Sequence, residues 1–136
     1  MKVLGIDLGL VRTGVAISDC RQVLASPFCV IKENDVEALV QKIGKICEQK
    51  NIQKIVVGLP KNMDGSEGQS AQNARAFADM LSEITNLPIS MIDERGTTIT
   101  ATNFLNDVNV RGKKRKNIVD AVAATVILQN YLDTKR

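Results

Sequence analysis

No histidine occurs in the 136 residues of this chain. That excludes imidazole acid–base chemistry, Ser-His-Asp and Cys-His nucleophilic catalysis, and most zinc sites. Any hydrolysis must then be run by carboxylates, lysines or a metal ion. Tryptophan is also absent, and Phe28, Phe77, Phe104 and Tyr131 are all the aromatics there are. Base-stacking platforms are therefore not expected. Cysteine is sparse: Cys20, Cys29 and Cys47 are odd in number and form no C-x-x-C spacing. This supports neither a disulfide framework nor a zinc knuckle, and fits a reducing compartment. No apolar run approaches membrane-spanning length, and Asp7 interrupts what would be the apolar core of a signal peptide. The expectation is a cytoplasmic protein with no membrane partner.

What is present describes one globular domain over residues 1–136, with 44% hydrophobic and 24% charged residues. Net charge is +3 but unevenly placed. Residues 1–110 carry 11 basic and 13 acidic side chains, whereas residues 111–136 carry 7 and 2. Most of the excess is the run Lys113-Lys114-Arg115-Lys116 after Arg111 and Gly112. A compact basic loop on a nearly neutral body suggests contact with a polyanion, and a solvated turn is the competing reading.

Hydrophobic spacing gives the elements. Residues 2–8, 13–19 and 22–31 read as three strands with short connections, hence an antiparallel meander. Pro27 in the third fits an edge strand or a bulge. Asn34 with Glu37 resembles a capping box, and Val36, Leu39, Val40, Ile43, Ile46 and Cys47 follow at helical spacing. Asn51 closes that helix. Ile52–Val57 reads as a strand buried on both faces.

A turn-rich loop over 58–68 then leads into a second helix ending at Thr85. Ala74, Phe77, Ala78, Leu81 and Ile84 form its inward face. Ile89–Ile92 is a fifth strand, Thr97–Asn106 a third helix, and a last helix spans about Asn117–Leu132. Strands that alternate with helices join in parallel through right-handed crossovers. The fold class is α/β, a five-stranded mixed sheet with helices on both faces.

Asp7 is the residue that composition does not explain. It lies between two glycines at the end of an apolar strand, in Gly5-Ile6-Asp7-Leu8-Gly9. A carboxylate there needs a cation or strong hydrogen-bond donors. In open α/β sheets, sites gather beyond the carboxyl ends of the strands. Glu94 falls just past the fifth strand, so it can share that edge with Asp7. Asp120, placed in the first turn of the last helix and sharing a face with Ala124 and Ile127, is the third acid able to turn inward. Three carboxylates without histidine suit Mg²⁺ or Mn²⁺, and two such ions can support phosphodiester displacement. The competing readings are a turn-stabilising carboxylate for Asp7, an ordinary loop acid for Glu94 and a dipole residue for Asp120. The 58–68 loop precedes a helix and can cradle phosphate on its amides, with Lys61 and Asn62 as its side chains.

Four blocks carry a resemblance: GIDLGLVRTGVAISD at 5–19, IVVGLPKNMDGSEG at 55–68, DERGTT at 93–98 and KKRKNIVDAVAATVILQNYL at 113–132. In this order the chain closely resembles the YqgF/RuvX family of RNase H-like nucleases over essentially its whole length. The resemblance implies an RNase H-like fold and a catalytic, metal-ligating acid triad at Asp7, Glu94 and Asp120. Gly96 departs from the family pattern, which has Leu there. Such families resemble Holliday junction resolvases and are linked to 5′-end trimming of the small-subunit ribosomal RNA precursor.

The expected activity is thus Mg²⁺- or Mn²⁺-dependent nuclease action on structured RNA (pre-16S rRNA or a pre-ribosomal particle), leaving 5′-phosphate and 3′-hydroxyl ends. Branched DNA is the alternative substrate. Arg12, Lys61, Arg95, Lys113, Lys114, Arg115 and Lys116 would position phosphates. Both a monomer and a homodimer stay open. A phosphate-loop reading, with IDLGLVRTG binding ATP, would need a second such domain, and a purely binding module would leave Asp7 unexplained.

Overall fold

The computed structural model describes residues 2–9, 11–60, 68–93 and 112–134, without the side chains of 112–120. Five strands form one sheet: β1 (Lys2–Asp7), β2 (Arg12–Ser18), β3 (Ala25–Lys32), β4 (Ile52–Leu59) and β5 (Ile89–Asp93). Their spatial order is β3-β2-β1-β4-β5. The β1–β2 and β2–β3 pairs are antiparallel, while β1–β4 and β4–β5 are parallel. This is the expected meander with two strands added in parallel. Pro27 lies on edge strand β3 beside a register shift at Val15/Ala16, so a missing amide donor disturbs only an outer ladder.

Three helices are described: α1 (Val36–Lys50), α2 (Gln69–Thr85) and α3 (Gly112–Thr134). Strand residues alternate between two cores. Leu4, Ile6, Val15, Ile55 and Val57 pack with Leu39, Ile43, Phe77 and Leu81 beneath α1 and α2. Val3, Ala16 and Val56 pack with Ala124, Ile127, Leu128 and Tyr131 of α3 on the opposite face. α1 and α2 both end on left-handed asparagines, Asn51 and Asn86, a conformation asparagine tolerates.

Several expected boundaries move. The capping box at Asn34 does not form: Asp35 is the N-cap of α1, without a side-chain capping bond. β4 runs on through Gly58 and Leu59, shortening the loop after it. Ile84 turns toward α1 at Gly44 but stays 42% exposed, because glycine offers no side chain to cover it. Val126 is half-buried. The largest change is in α3, which begins at Gly112 rather than near Asn117. The basic run is therefore helical, not a loop, and Asp120 lies in the third turn, so the first-turn dipole argument for it falls away. Lys and Arg are good helix formers, and that propensity prevails over the unfavourable placement of cations at a helix N-terminus. The helix expected over Thr97–Asn106 lies outside the described residues.

Candidate active site

Asp7 is the last residue of β1 and is half-buried. Next to it the chain turns tightly: a side chain at Gly9 would fall on the carbonyl oxygen of Arg12. The Gly9 amide donates to Thr13 Oγ1 at 3.5 Å, and Thr13 is fully buried. Only glycine fits this corner, which turns the chain from β1 into β2.

By alternation, Asp7 belongs to the face of Val3 and Gly5, the one α3 covers. Two contacts set how α3 lies there. At one end, Gln129 accepts from the Ala25 amide at 2.9 Å and donates to the Val23 carbonyl at 2.9 Å. This is the Val3 end of β1, since the Val3 amide donates to Ser18 Oγ and Ser18 pairs with Ala25. Further along, Gly5 lies directly beneath α3: a Cβ there would come within 2.7 Å of Leu128 Cβ and 3.1 Å of the Ala124 carbonyl. α3 therefore runs antiparallel to β1. Two residues from Gly5 to Asp7 advance about 7 Å along the strand. Four residues from Ala124 back to 120 advance about 6 Å along the helix, on the same i, i+4 row. The backbone of position 120 thus comes level with Asp7.

β4 lies between β1 and β5, with Ile6 opposite Val57 and Leu59 opposite Asp93. Glu94 directly follows the final residue of β5 and is itself outside the described residues, as are Lys61, Asn62 and Arg95. The ends of β1 and β5 share one sheet edge, about 10 Å apart across β4. Among the described side chains no cluster of three acids or thiols forms a metal site. The donor available there, a half-buried carboxylate in a chain with no histidine, fits a hard divalent cation that prefers oxygen.

Arg12 opens β2, two residues before Gly14, which pairs with Asp7. It therefore shares the Asp7 face. Its Nε is shut off from solvent and finds no hydrogen-bond partner among the described residues. A buried donor left so costs about 1–3 kcal/mol, which an incoming anion would recover. Lys113 to Lys116 occupy the first turns of α3, about 6–11 Å beyond position 120 along the helix. By contrast Asp19 is structural: its carboxylate accepts from the Val23 and Leu24 amides at 2.8 and 3.1 Å. Those bonds hold its carboxyl below the usual carboxylate range. A cleft of about 600 Å³ opens on the other face, lined by Leu8, Asn34, Pro60, Asn73 and Phe77 among others.

This sheet order, three antiparallel strands with two added in parallel and helices on both faces, is that of the RNase H-like fold. T. thermophilus RuvC in complex with Holliday junction substrate superposes over 99% of this chain and 95% of its own, with TM-score 0.64 and 12% identity. The fowlpox virus resolvase in complex with junction DNA gives 0.62 and 10%, covering 99% of both chains. At such identities the likeness shows the fold. The chain belongs to the RuvX family, described as Holliday junction resolvase, whose model matches residues 1–134. A protein of Natranaerobius thermophilus named "Putative pre-16S rRNA nuclease" is 41% identical over 133 residues, 98% of this chain and 94% of that one. One of the same name from Clostridium kluyveri is 40% identical, covering 98% and 97%.

Proposed function

We propose that this protein is a divalent-metal-dependent nuclease that cuts structured RNA in the cytoplasm during 5′-end maturation of pre-16S rRNA. The observation that carries the reading is the seating of α3 on Gly5, which brings position 120 level with Asp7 at the edge where β5 leads into Glu94. Asp7, Glu94 and Asp120 would hold Mg²⁺ or Mn²⁺, two ions in all. Such ions supply water activated at neutral pH and compensate charge at the scissile phosphate. The chain's own cations orient the polymer. Arg12 offers a guanidinium with a shielded Nε on the Asp7 face, and Lys61, Asn62, Arg95 and the Lys113, Lys114, Arg115, Lys116 run contact flanking phosphates. Four cations at the positive end of a helix repel its dipole, and a polyanion relieves that repulsion. The names of the relatives favour RNA. Cells depleted of the protein should accumulate 16S rRNA with extended 5′ ends, corrected by the wild-type chain and not by Asp7→Asn. Normal ends under depletion would overturn the RNA assignment.

The second reading keeps the site and changes the substrate to four-way DNA junctions, as the family's description has it. Paired cuts on a junction call for two sites in a symmetric dimer. A solution mass of one chain, with no paired cleavage of a synthetic junction, would count against it.

A further inference from the structure

We infer that Lys32 holds a substrate phosphate next to the one bound at Asp7 and Arg12, so that the polynucleotide crosses the sheet edge from β1 toward β3. This rests on the nuclease reading above and extends it to a residue with no motif around it. The register carries the inference. Asp7 pairs with Gly14, Arg12 is two residues before Gly14, and Arg12 pairs with Lys32. All three side chains therefore belong to one face of the sheet at one edge. Lys32 lies one strand, about 5 Å, from Arg12, and two strands across and two residues along, about 12 Å, from Asp7, a track that neighbouring phosphates of one chain can follow.

Lys32 is exposed. The nearest acid in sequence, Glu33, belongs to the other face, where Lys42 takes its carboxylate at 2.9 Å. That bond lowers the Glu33 pKa below its ordinary value. Lys32 thus makes no ion pair among the described residues, and its charge is available on the Asp7 side. Phe28 is drawn toward α1, with Lys50 Nζ 5.5 Å from its ring, so among the described residues β3 brings charge to this edge without a stacking ring. Such a surface positions a backbone and does not read bases.

The test is fluorescence anisotropy of a labelled RNA hairpin with a single-stranded 5′ extension, titrated in EDTA at several salt concentrations. Removing one phosphate contact should lower the slope of log affinity against log salt by about 0.7–0.9. At about 0.1 M salt that amounts to about fivefold to eightfold weaker binding. Lys32→Ala should show this loss and Lys32→Arg should not. Lys45→Ala, an exposed lysine of α1 on the opposite face, should bind like wild type.

Placing one neutral methylphosphonate beside the cleavage position should cost the wild type the same factor and cost Lys32→Ala nothing more. An unchanged slope in Lys32→Ala, an equal loss in Lys45→Ala, or additive losses with every neutral linkage would overturn the proposal. Cleavage of the same hairpin in Mg²⁺ separates the two levels. If wild type cleaves while Lys32→Ala behaves like it in every titration, only the phosphate track falls. If wild type neither binds nor cleaves, the nuclease reading falls with it.

Discussion

Adding one methyl group at Gly5 should damage both stability and catalysis. The new Cβ would come within 2.7 Å of Leu128 Cβ and 3.1 Å of the Ala124 carbonyl oxygen. Leu128 Cβ is anchored to the helix backbone and the oxygen is backbone, so neither can rotate away. β1 is central, with β2 and β4 on either side, so α3 must yield instead. Overpacking of this kind costs about 1–3 kcal/mol, a fall of about 3–12 °C in Tm for a chain of this length.

The displaced helix carries position 120 with it. A misplacement of about 1 Å at a catalytic group can cost about a hundredfold in rate. Gly5→Ala should therefore lose far more RNA cleavage than its residual folded fraction explains. Thermal melts and single-turnover cleavage, each at a temperature where the variant remains folded, separate the two effects. A Gly5→Ala protein with wild-type Tm and wild-type rate would refute the seating of α3 as the device that aligns the site.

Two further outcomes follow from the core. Ser18 is buried, its Oγ accepting from the Val3 amide at 2.8 Å and donating to the Asp19 carbonyl at 3.0 Å; Ser18→Ala should cost about 1–3 kcal/mol in a denaturant titration by orphaning that amide, and an unchanged midpoint would contradict it. Burial, helped by the Glu48 charge, pushes the Cys47 thiol from 9.0 up to about 11. The unfolded thiol ionises first as pH rises, so stability should be undiminished below about pH 9 and fall toward pH 11. The same fall should be smaller in Cys47→Ala, and parallel pH–stability curves for the two proteins would refute it. At pH 8 a thiol reagent should modify the exposed Cys20 promptly and Cys47 only on unfolding; prompt modification of Cys47 in the folded protein would speak against its burial.

The sheet was legible because its burial is periodic. Leu4 and Ile6 alternate with Val3 and Gly5, and the apolar run of β4 signals two covered faces. Asp7 stood out as a candidate because a carboxylate breaks that run, and Asp120 because it begins a row of small and apolar residues. Their alignment was not legible: it depends on Gly5 receiving Ala124 and Leu128, a contact between residues far apart in the chain. The start of α3 was misplaced because the charge of Lys113–Lys116 argued for a loop while their propensity argued for helix, and no local rule ranks the two. Ile84 obeyed the helical period and meets α1 at Gly44, yet stays partly exposed because glycine has no side chain to cover it. Lys32 gave no signal at all, because only strand pairing brings it beside Arg12.

In the function proposed above, Asp7 works as a metal-holding carboxylate in phosphodiester cleavage. The direct measurement is cleavage of a 5′-extended 16S precursor RNA by wild type and Asp7→Asn, each folded as judged by circular dichroism, in Mg²⁺, Mn²⁺ and EDTA. Wild type should cut with either ion and stop in EDTA, and Asp7→Asn should be slower by about a hundredfold to a thousandfold, the order expected when a principal electrostatic contributor is lost. Equal cleavage by the two proteins, or wild-type cleavage that persists in EDTA, would contradict the account.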